Sequence, residues 1–349
     1  MLLKNTERGL FCEAGNFHVD PWRPVEFAII THGHSDHARS GSTRYLTAES
    51  GREVVQARVG VDAKVETLRY GESISHNGVK ISFHPAGHIL GSAQVRLEKD
   101  GEVWVVSGDY KLENDGTCAP FEPVKCHTFI MESTFGLPIY HWRPQAEIFK
   151  EINQWWRDNQ SNECTSVLYC YALGKAQRIL SGLDVNIGPI FVHGAVERFL
   201  PAYQHAGVRL PATTKADAEN VKQARGKGLV LAPGSTDNSP WMRKFGPVST
   251  AFASGWMQLR GPRRRRSLDR GFVLSDHADW DGLLSSVRAT DAERVWVTHG
   301  YTEAFARYLT EQGWQAEAIE TRFSGEVEDE PEKQPATEAP SPATTGVDT

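Results

Sequence analysis

The feature that most constrains this chain is residues 31–37, Thr-His-Gly-His-Ser-Asp-His, which directly follow an apolar run at residues 27–30. A short apolar run of this kind is typical of a buried strand. Because side chains alternate between the two faces of an extended chain, His32 and His34 are expected on one side. Imidazole nitrogens and carboxylate oxygens bind zinc and manganese, so three histidines and Asp36 in one short segment predict the start of two adjacent metal sites. A chance histidine cluster on a surface loop is the alternative, which the position at a strand end disfavours.

Four further apolar runs end in the same way, with a polar residue directly or shortly after the last apolar one. These runs are residues 103–106 before Asp109, 129–131 before Glu132, 272–274 before His277 and 295–297 before His299. Continuous runs of β-forming residues suggest strands buried on both faces, and polar residues just beyond such strands are where α/β folds gather their chemistry. The pattern therefore predicts an α/β fold with a site at the strand ends.

The middle of the chain has a different pattern, in which helices and strands alternate. The predicted segments are a helix at residues 145–157, a strand at 167–171, a helix from 175, and strands at 190–193, 229–232 and 248–253. Such alternation predicts a parallel sheet. Because strand-then-polar segments occur on both sides of this block, we expect it to be an insertion that splits one domain.

The His-x-His-x-Asp-His pattern resembles the metal-binding motif of the metallo-β-lactamase superfamily, and other segments match that family in chain order. Asp20 in His-Val-Asp-Pro, His88 in Ala-Gly-His-Ile-Leu-Gly-Ser and Asp109 in Ser-Gly-Asp-Tyr match its other motifs. The resemblance implies two divalent metal ions, zinc or else manganese, with Asp109 bridging them and Asp20 bracing the ligand loop. The implied ligands are His32, His34 and His88 for one metal, and Asp36, His37 and His299 for the other.

Segments in the middle and C-terminal parts are similar to the β-CASP branch of this superfamily, whose members cut nucleic acids. Its acidic motif matches Glu132, its second motif matches His277, its third matches His299, and residues 171–177 resemble a segment of its inserted domain. The resemblance implies a metallo-β-lactamase αββα sandwich interrupted by an α/β β-CASP domain. The implied boundaries are residues 1–135 and 256–322 for the sandwich, 136–255 for the insertion, and 323–349 for an acidic tail that its composition predicts to be disordered.

Two segments, Phe-Gly-Leu-Pro at 135–138 and Ala-Ser-Gly-Trp-Met at 253–257, look most like bacterial ligase-associated DNA exonucleases. This similarity implies a DNA exonuclease in end repair that works with an ATP-dependent DNA ligase. Histidine at position 299 is instead typical of RNA-processing members of the branch, so an RNA-processing nuclease is the main alternative. A small-molecule metallo-hydrolase, such as a thioesterase or lactonase, is disfavoured because a small substrate needs no inserted domain.

The mechanism predicted from these residues is metal-assisted hydrolysis of a phosphodiester. The two metals are expected to share and activate a water molecule, with Asp36 serving both as ligand and as part of the catalytic group. His277 is expected to protonate the departing oxygen or to hold a phosphate oxygen, with Glu132 orienting its ring. A structural ion pair near the domain boundary is the alternative for Glu132 and His277.

Charge is distributed unevenly along the chain, whose net charge is −6. From Ser324 onward there are seven acidic residues and one lysine, which leaves 37 acidic and 37 basic residues upstream. A neutral body must hold DNA or RNA through a local basic surface rather than through net charge.

Three stretches are candidates for nucleic-acid contacts. Guanidinium groups suit phosphate, which favours Arg263, Arg264, Arg265 and Arg266. Lys175 is a second candidate. Ser235 and Thr236 lie before a helix predicted from residue 240 and could present backbone N–H groups to a terminal phosphate. A solvated arginine run and an ordinary turn are the alternatives.

The composition predicts a cytoplasmic protein that does not contact a membrane. No stretch approaches the roughly 20 apolar residues of a membrane span, and residues 1–8 lack the apolar core of a secretion signal. The five cysteines are odd in number and contain no Cys-x-x-Cys pair, so reduced thiols are expected rather than disulfides or a cysteine zinc site.

Overall fold

The computed structural model describes residues 1–217, 219–259 and 268–322, and within these ranges it contains three β-sheets with helices packed on their faces. This is the mixed α/β fold that the sequence pattern predicted. The acidic tail at 323–349 and the arginine run at 263–266 lie outside the described residues. None of the described helices has the length and apolar character that crossing a bilayer requires.

The first sheet comes from the N-terminal part of the chain. Its strands, hydrogen-bonded in chain order, are β1 (Lys4–Thr6), β2 (Gly9–Cys12), β3 (Phe17–Val19), β4 (Phe27–Ile29), β5 (Arg44–Ala48) and β6 (Val65–Leu68). On one face, Val55 and Val59 of helix α1 (Arg52–Val59) pack against Ala28 and Tyr45. The predicted metal-binding segment therefore leaves this sheet at the end of its central strand β4.

The second sheet packs face to face against the first. Its first five strands are β7 (Ser73–His76), β8 (Val79–Pro85), β9 (Ala93–Lys99), β10 (Glu102–Val106) and β11 (Thr128–Ser133). Leu10 and Ile29 of the first sheet share one buried cluster with Ile81 and Val95 of the second. Strands β7 to β10 are antiparallel neighbours, whereas β11 runs parallel to β10.

The third sheet is formed by the middle of the chain, and its described pairs are all parallel. Its strands are β12 (Thr165–Tyr169), β13 (Ile190–Val192), β14 (Thr214–Lys215), β15 (Leu229–Ala232), β16 (Val248–Ala253) and β17 (Arg270–Phe272). Their spatial order is β14-β13-β15-β12-β16-β17. The helices of this block are α2 (Gln145–Ser161), α3 (Lys175–Ser181), α4 (Gly194–Glu197), α5 (Leu200–His205) and α6 (Val221–Ala224). Separate apolar clusters cover its two faces, as a parallel sheet requires.

The chain then returns to the second sheet. The returning elements are α7 (Trp280–Thr290), β18 (Arg294–Gly300), α8 (Thr302–Glu311) and β19 (Gln315–Ala318). Strand β18 pairs in parallel with β11 and β19, so the third-sheet block interrupts the second sheet between β11 and β18. Leu283 of α7 and Phe305 of α8 pack on Phe129, which gives a helix–sheet–sheet–helix order.

Two details differ from the sequence-based expectation. Strand β17 belongs to the third sheet, whereas the expected boundary at residue 255 assigns it to the returning part. In place of a helix from residue 240 there is a short 3-10 turn, Met242–Phe245. Gly246, with φ of 77°, ends that turn and directs the chain into β16.

Candidate metal centre

Strand ends bring the predicted ligand segments to one edge of the two packed sheets. Strands β10, β11 and β18 are parallel, so their carboxyl ends share an edge. Strand β8 has the same direction, because it is antiparallel to β9 and β9 is antiparallel to β10. The residues at or just after these ends are His88 after β8, Asp109 after β10, Glu132 on β11 and His299 on β18.

The backbone of His299 has an uncommon conformation that aims its ring into the site. Its φ is 54°, in the left-handed region that residues other than glycine rarely adopt. The Ser133 hydroxyl donates to the carbonyls of Thr298 and His299, next to a register shift between β11 and β18. Surroundings of this kind can hold a strained residue in place. As a result His299 Nδ1 lies 3.0 Å from Asp109 Oδ1.

The first group of possible metal ligands is His32, His34, His88 and Asp109. His34 Nδ1 lies 3.2 Å from His32 Nε2 and 3.1 Å from His88 Nε2. Asp109 Oδ2 lies 3.4 Å from His32 Nε2 and 3.7 Å from His88 Nε2. Two ligands of a tetrahedral zinc ion, each about 2.0–2.1 Å from the metal, are about 3.4 Å apart. The four atoms therefore have the mutual spacing of ligands to one ion.

Hydrogen bonds behind two of these rings determine which nitrogen carries the hydrogen. Leu173 O lies 3.2 Å from His34 Nε2, and Asp276 O lies 2.7 Å from His88 Nδ1. A carbonyl oxygen only accepts, so these nitrogens carry N–H, and the opposite nitrogens, His34 Nδ1 and His88 Nε2, lie 3.1 Å apart. Burial, reinforced by neighbouring histidines, holds the pKa of His88 well below its usual value and keeps the ring neutral. A proton on His34 Nδ1 can join the two nitrogens in a hydrogen bond, and a metal cation bound by both can take its place.

Asp20 lies behind the ligand loop and orients two more rings. Its carboxylate accepts from Thr31 N at 2.8 Å, Thr31 Oγ1 at 2.5 Å and His37 Nδ1 at 2.7 Å. Since the Thr31 hydroxyl donates to Asp20, it accepts from His32 Nδ1 at 3.0 Å. Burial lowers the pKa of His32, so its Nε2 also presents a lone pair to the first group.

The second group is Asp36, His37 and His299, all buried. His37 Nε2 lies 3.9 Å from Asp36 Oδ2 and 3.7 Å from Asp109 Oδ2. Among the described residues, Asp36 Oδ2 is buried and has no hydrogen-bond partner. A buried carboxylate oxygen is costly to leave in that condition, and a cation here would compensate it.

Opposite charges are concentrated around the second group. Burial raises the pKa of Asp109, but His37 and His299 outweigh this and hold it well below its usual value. Burial lowers the pKa of His37, but neighbouring carboxylates outweigh this and raise it to about 10. Those carboxylates belong to Asp109, Asp36 and Asp20. A divalent cation would balance them, so the donor atoms of both groups fit such an ion, and Asp109 is close to both.

Glu132 and His277 lie beside the first group. His277 Nδ1 is 2.9 and 2.8 Å from the two carboxylate oxygens of Glu132, which also accept from Tyr110 N at 2.8 Å and Thr134 Oγ1 at 2.5 Å. The ring centroids of His277 and His88 are 4.8 Å apart. Three donors occupy the Glu132 carboxylate, which favours a role in orienting His277.

A pocket of about 270 Å³ has His277 in its wall, together with Lys111, Trp142, Arg143 and Asp279. Trp142 is half-buried, and its Nε1 donates to His277 O at 2.9 Å, whereas Arg143 is exposed. An aromatic face and a guanidinium are groups that contact nucleobases and phosphates.

Sequence reasoning missed a buried ionic network next to this site. Lys175, expected to contact nucleic acid, is instead fully buried, and its Nζ lies 3.1 Å from Asp276 Oδ2. Arg178, also buried, lies 3.1 Å from Asp276 Oδ1. The structure therefore places Lys175 inside the protein, where its ammonium is balanced by a carboxylate. Two sequence signals pointed here: the family-like segment at residues 171–177, which contains Lys175, and the adjacency of Asp276 to His277.

Of the remaining candidate nucleic-acid contacts, the structure describes Ser235 and Thr236. Ser235 is exposed and Thr236 is buried, both in a 3-10 turn, Gly234–Thr236, after β15. Thr236 Oγ1 donates to Pro233 O at 2.6 Å, so its hydroxyl stabilises the turn. The arginines at 263–266 fall outside the described residues.

Comparison with known proteins gives partial relatives. No protein-family model matches the chain. A "Probable DNA ligase" of Opitutus terrae is 30% identical over 314 residues, which are 89% of this chain and 30% of that protein. "Cleavage and polyadenylation specificity factor subunit 3" of Dictyostelium discoideum and "Endoribonuclease YSH1" of Saccharomyces cerevisiae are each 32% identical over 123 residues. Those 123 residues are 35% of this chain and 16% of each of these two relatives. The chain therefore spans less than a third of the length of each of the three relatives.

A solved structure of a protein of unknown function from Enterococcus faecalis V583 has a TM-score of 0.57 at 9% identity. The match covers 84% of this chain and 79% of that one, and it shows a shared fold. The named relatives support the placement of this chain in the β-CASP branch of the metallo-β-lactamase superfamily.

Proposed function

We propose that this chain is a two-metal phosphodiesterase that removes nucleotides from DNA ends. In this proposal the first two sheets, with α1, α7 and α8, are a metallo-β-lactamase αββα sandwich. The third-sheet block is the inserted β-CASP domain, which begins at residue 136 and continues past residue 255 to include β17. The first two sheets and the block are joined at the ligand cluster, where Leu173 O contacts His34.

The proposal rests on the clustering of the predicted metal ligands. Seven nitrogen- and oxygen-bearing side chains from four separate segments meet in two adjacent groups, and Asp36 Oδ2 is buried with no hydrogen-bond partner among the described residues. Coordination of this kind in a phosphodiesterase supports in-line hydrolysis at phosphorus.

In the proposed site, each group holds one divalent ion. The ligands would be His32, His34 and His88 for one ion, Asp36, His37 and His299 for the other, and Asp109 for both. When bound, the two ions supply Lewis acidity, an activated water nucleophile and charge neutralisation at the phosphoryl oxygens. Nitrogen-rich donors favour zinc as the first metal to test, with manganese second.

In this proposal His277 transfers a proton and Glu132 orients its ring. Glu132 accepts the hydrogen of His277 Nδ1, which leaves Nε2 as the ring atom that exchanges a proton with the reacting phosphodiester. His277 also lies in the wall of the pocket with Trp142 and Arg143, so the released nucleotide would leave on that side.

Two observations support DNA as the substrate. The segments at 135–138 and 253–257 resemble ligase-associated DNA exonucleases. A relative named "Probable DNA ligase" matches over 89% of this chain, while 70% of that relative lies outside the match, consistent with nuclease and ligase segments in one polypeptide. We therefore propose cooperation with an ATP-dependent DNA ligase.

RNA is the second candidate substrate, and it too has specific support. Several relatives are named "Endoribonuclease YSH1", and His299 matches the residue type of RNA-processing members. A small-molecule hydrolase is disfavoured because a small substrate needs no inserted domain such as the third-sheet block.

The test is hydrolysis by metal-loaded protein of end-labelled single- and double-stranded DNA, circular DNA without ends, RNA of the same sequence, and a thioester. The proposal expects zinc- or manganese-dependent release of nucleotides or short fragments from linear DNA, with circular DNA intact. Asp109→Ala, purified in parallel, controls for a contaminating nuclease. Faster cleavage of RNA would establish the second candidate, and thioester hydrolysis without nuclease activity would overturn both.

A further inference from the structure

A buried ionic network joins the third-sheet block to the ligand cluster. Lys175 and Arg178 of α3 lie on either side of Asp276, at 3.1 Å from its Oδ2 and its Oδ1. The side chains are 0%, 1% and 5% exposed. Lys175 and Arg178 also lower the pKa of Asp276, although burial opposes them. A buried carboxylate stays charged only where such partners hold it, so the position of Asp276 depends on α3.

Asp276 also contacts and orients a ligand of the first group. Its backbone oxygen accepts from His88 Nδ1 at 2.7 Å, which sets the tautomer that presents His88 Nε2 to the site. The next residue, His277, is the proposed proton-transfer group. Through its side chain Asp276 is attached to α3, and through its backbone it orients His88.

The segment leading into α3 contacts a second ligand of the same group. Leu173 O lies 3.2 Å from His34 Nε2 and sets the tautomer that presents His34 Nδ1. The segment also packs tightly on the loop that carries His88. A Cβ on Gly174, whose φ is 89°, would come within 2.3 Å of Ile89 Cγ2.

The second group is oriented from a different side. His37 Nδ1 lies 2.7 Å from Asp20 Oδ2, which follows β3 of the first sheet, and this contact does not involve α3. Asp20 also supports His32 of the first group through Thr31, so Asp20 serves a ring in each group, whereas the contacts of α3 and the segment before it reach His34 and His88 of the first group.

We propose that residues 173–178 of the third-sheet block are a positioning element for the first metal site. Lys175 and Arg178 hold the side chain of Asp276, and the backbone oxygen of Asp276 orients His88. This inference rests on the metal binding in the proposed function. It predicts that the contacts of Lys175 and Arg178 with Asp276 control the metal affinity of the first site and not that of the second.

The test is zinc titration of metal-free full-length protein in competition with a chromophoric chelator, which yields two dissociation constants. His88→Ala and His37→Ala identify which constant belongs to which group. In Lys175→Met, the constant that His88→Ala removes should rise about tenfold or more, as is usual when a group that orients a metal ligand is lost. The other constant should stay unchanged. Asp20→Asn should change both constants, because Asp20 contacts His37 directly and supports His32 through Thr31.

Two further variants separate positioning from folding. Lys125→Met removes an exposed ammonium paired with Asp291 and should change neither constant. Lys175→Met with Asp276→Asn removes both charges, leaves Arg178 balanced by Glu113 and Asp115, and should fold while binding zinc weakly at the first site. In zinc-loaded protein, the His88 Nδ1 proton should exchange with solvent faster in this double variant, as measured in ¹H–¹⁵N spectra.

The possible results distinguish a failure of the positioning role from a failure of the proposed function. Two wild-type constants in the double variant, or an equal loss at both sites, would overturn the positioning role while leaving the proposed function intact. Absence of zinc binding by the wild-type protein would overturn both.

Discussion

His277 Nδ1 and the carboxylate of Glu132 are joined by two contacts of 2.9 and 2.8 Å, and both residues are almost completely buried. The pair lies next to the ligand cluster, with His277 also reaching the pocket wall. A histidine held at one nitrogen by a carboxylate can exchange a proton at the other. This relationship separates metal binding from proton transfer, and the two can be tested with different substitutions.

Replacing His277 should strongly reduce turnover while preserving the bound metal. We expect His277→Ala to retain the zinc content of the wild-type protein and to lower kcat by about 10²–10⁴, the usual range for loss of a general acid or base. The measurements are elemental analysis and single-turnover DNA cleavage. His141→Ala, at an exposed histidine paired with Asp281, is the matched control and should cleave normally. Unchanged turnover in fully metallated His277→Ala would remove this residue from the mechanism.

Replacing Asp109 should have the opposite signature. Its carboxylate is within 3.0–3.7 Å of His32, His37, His88 and His299. Asp109→Ala should therefore lower metal content, because one ligand is lost from both groups. Elemental analysis after dialysis measures this, with Asp291→Ala, an exposed carboxylate, as control. Full metal occupancy in Asp109→Ala would contradict the bridging role.

The parts of the site that sequence could predict are those encoded by short, local patterns. Residues 31–37 follow a strand and carry four possible ligands, and the strand-then-polar runs anticipated where Asp109, Glu132 and His299 lie. The same pattern could not assign a strand to a sheet. The run at 272–274 was expected to belong with the sandwich, yet β17 pairs with β16, because pairing depends on partners distant in sequence.

The parts that sequence could not predict are contacts between distant or backbone groups. Lys175 and Asp276 are 101 positions apart, and a lysine is rarely buried, so an exposed lysine was the natural expectation. The carbonyl oxygens of Leu173 and Asp276 set the tautomers of His34 and His88. Any residue type supplies a carbonyl, so these acceptors leave no trace in composition or spacing.

Removing the metal should destabilise the folded protein. A ligand that binds only the native state adds free energy in proportion to the logarithm of its concentration over Kd, about 4 kcal/mol at a thousandfold excess for one site. Without metal, Asp36 Oδ2 is left buried with no hydrogen-bond partner among the described residues. We expect a chelator to lower Tm and added zinc to restore it in calorimetry. Asp109→Ala should show a much smaller response, and equal Tm values with and without chelator would contradict metal binding.

The arginine run should contribute to the salt dependence of DNA binding. Each phosphate contact adds about 0.7 to 0.9 to the slope of log affinity against log salt concentration. Replacing Arg264 and Arg265 with glutamine should therefore reduce that slope by about 1.4–1.8. Fluorescence anisotropy with a DNA end at several salt concentrations measures it. Arg69→Gln with Arg307→Gln, two exposed arginines elsewhere, is the matched control, and an identical slope in the 264/265 variant would exclude a DNA contact there.

Gly300 should be required for the geometry of His299. Its φ is 71°, and a Cβ there would come within 2.4 Å of Ser133 O and of Thr134 Cα. Gly116 has nearly the same φ, 73°, but a Cβ on it would meet nothing within 4 Å. Gly116→Ala therefore reports the conformational cost alone, about 1–2 kcal/mol, whereas Gly300→Ala adds an overpacking cost of about 1–3 kcal/mol.

Because the clash lies on the backbone of β11 beside Glu132, its relief should displace the end of β18 and the ring of His299 with it. We expect Gly300→Ala to lower both the urea midpoint and the zinc content, and Gly116→Ala to lower only the midpoint, by a smaller amount. Equal midpoints and full zinc content in the two variants would mean that β18 can shift without loss of the ligand, and that the left-handed turn at 299–300 does not position His299.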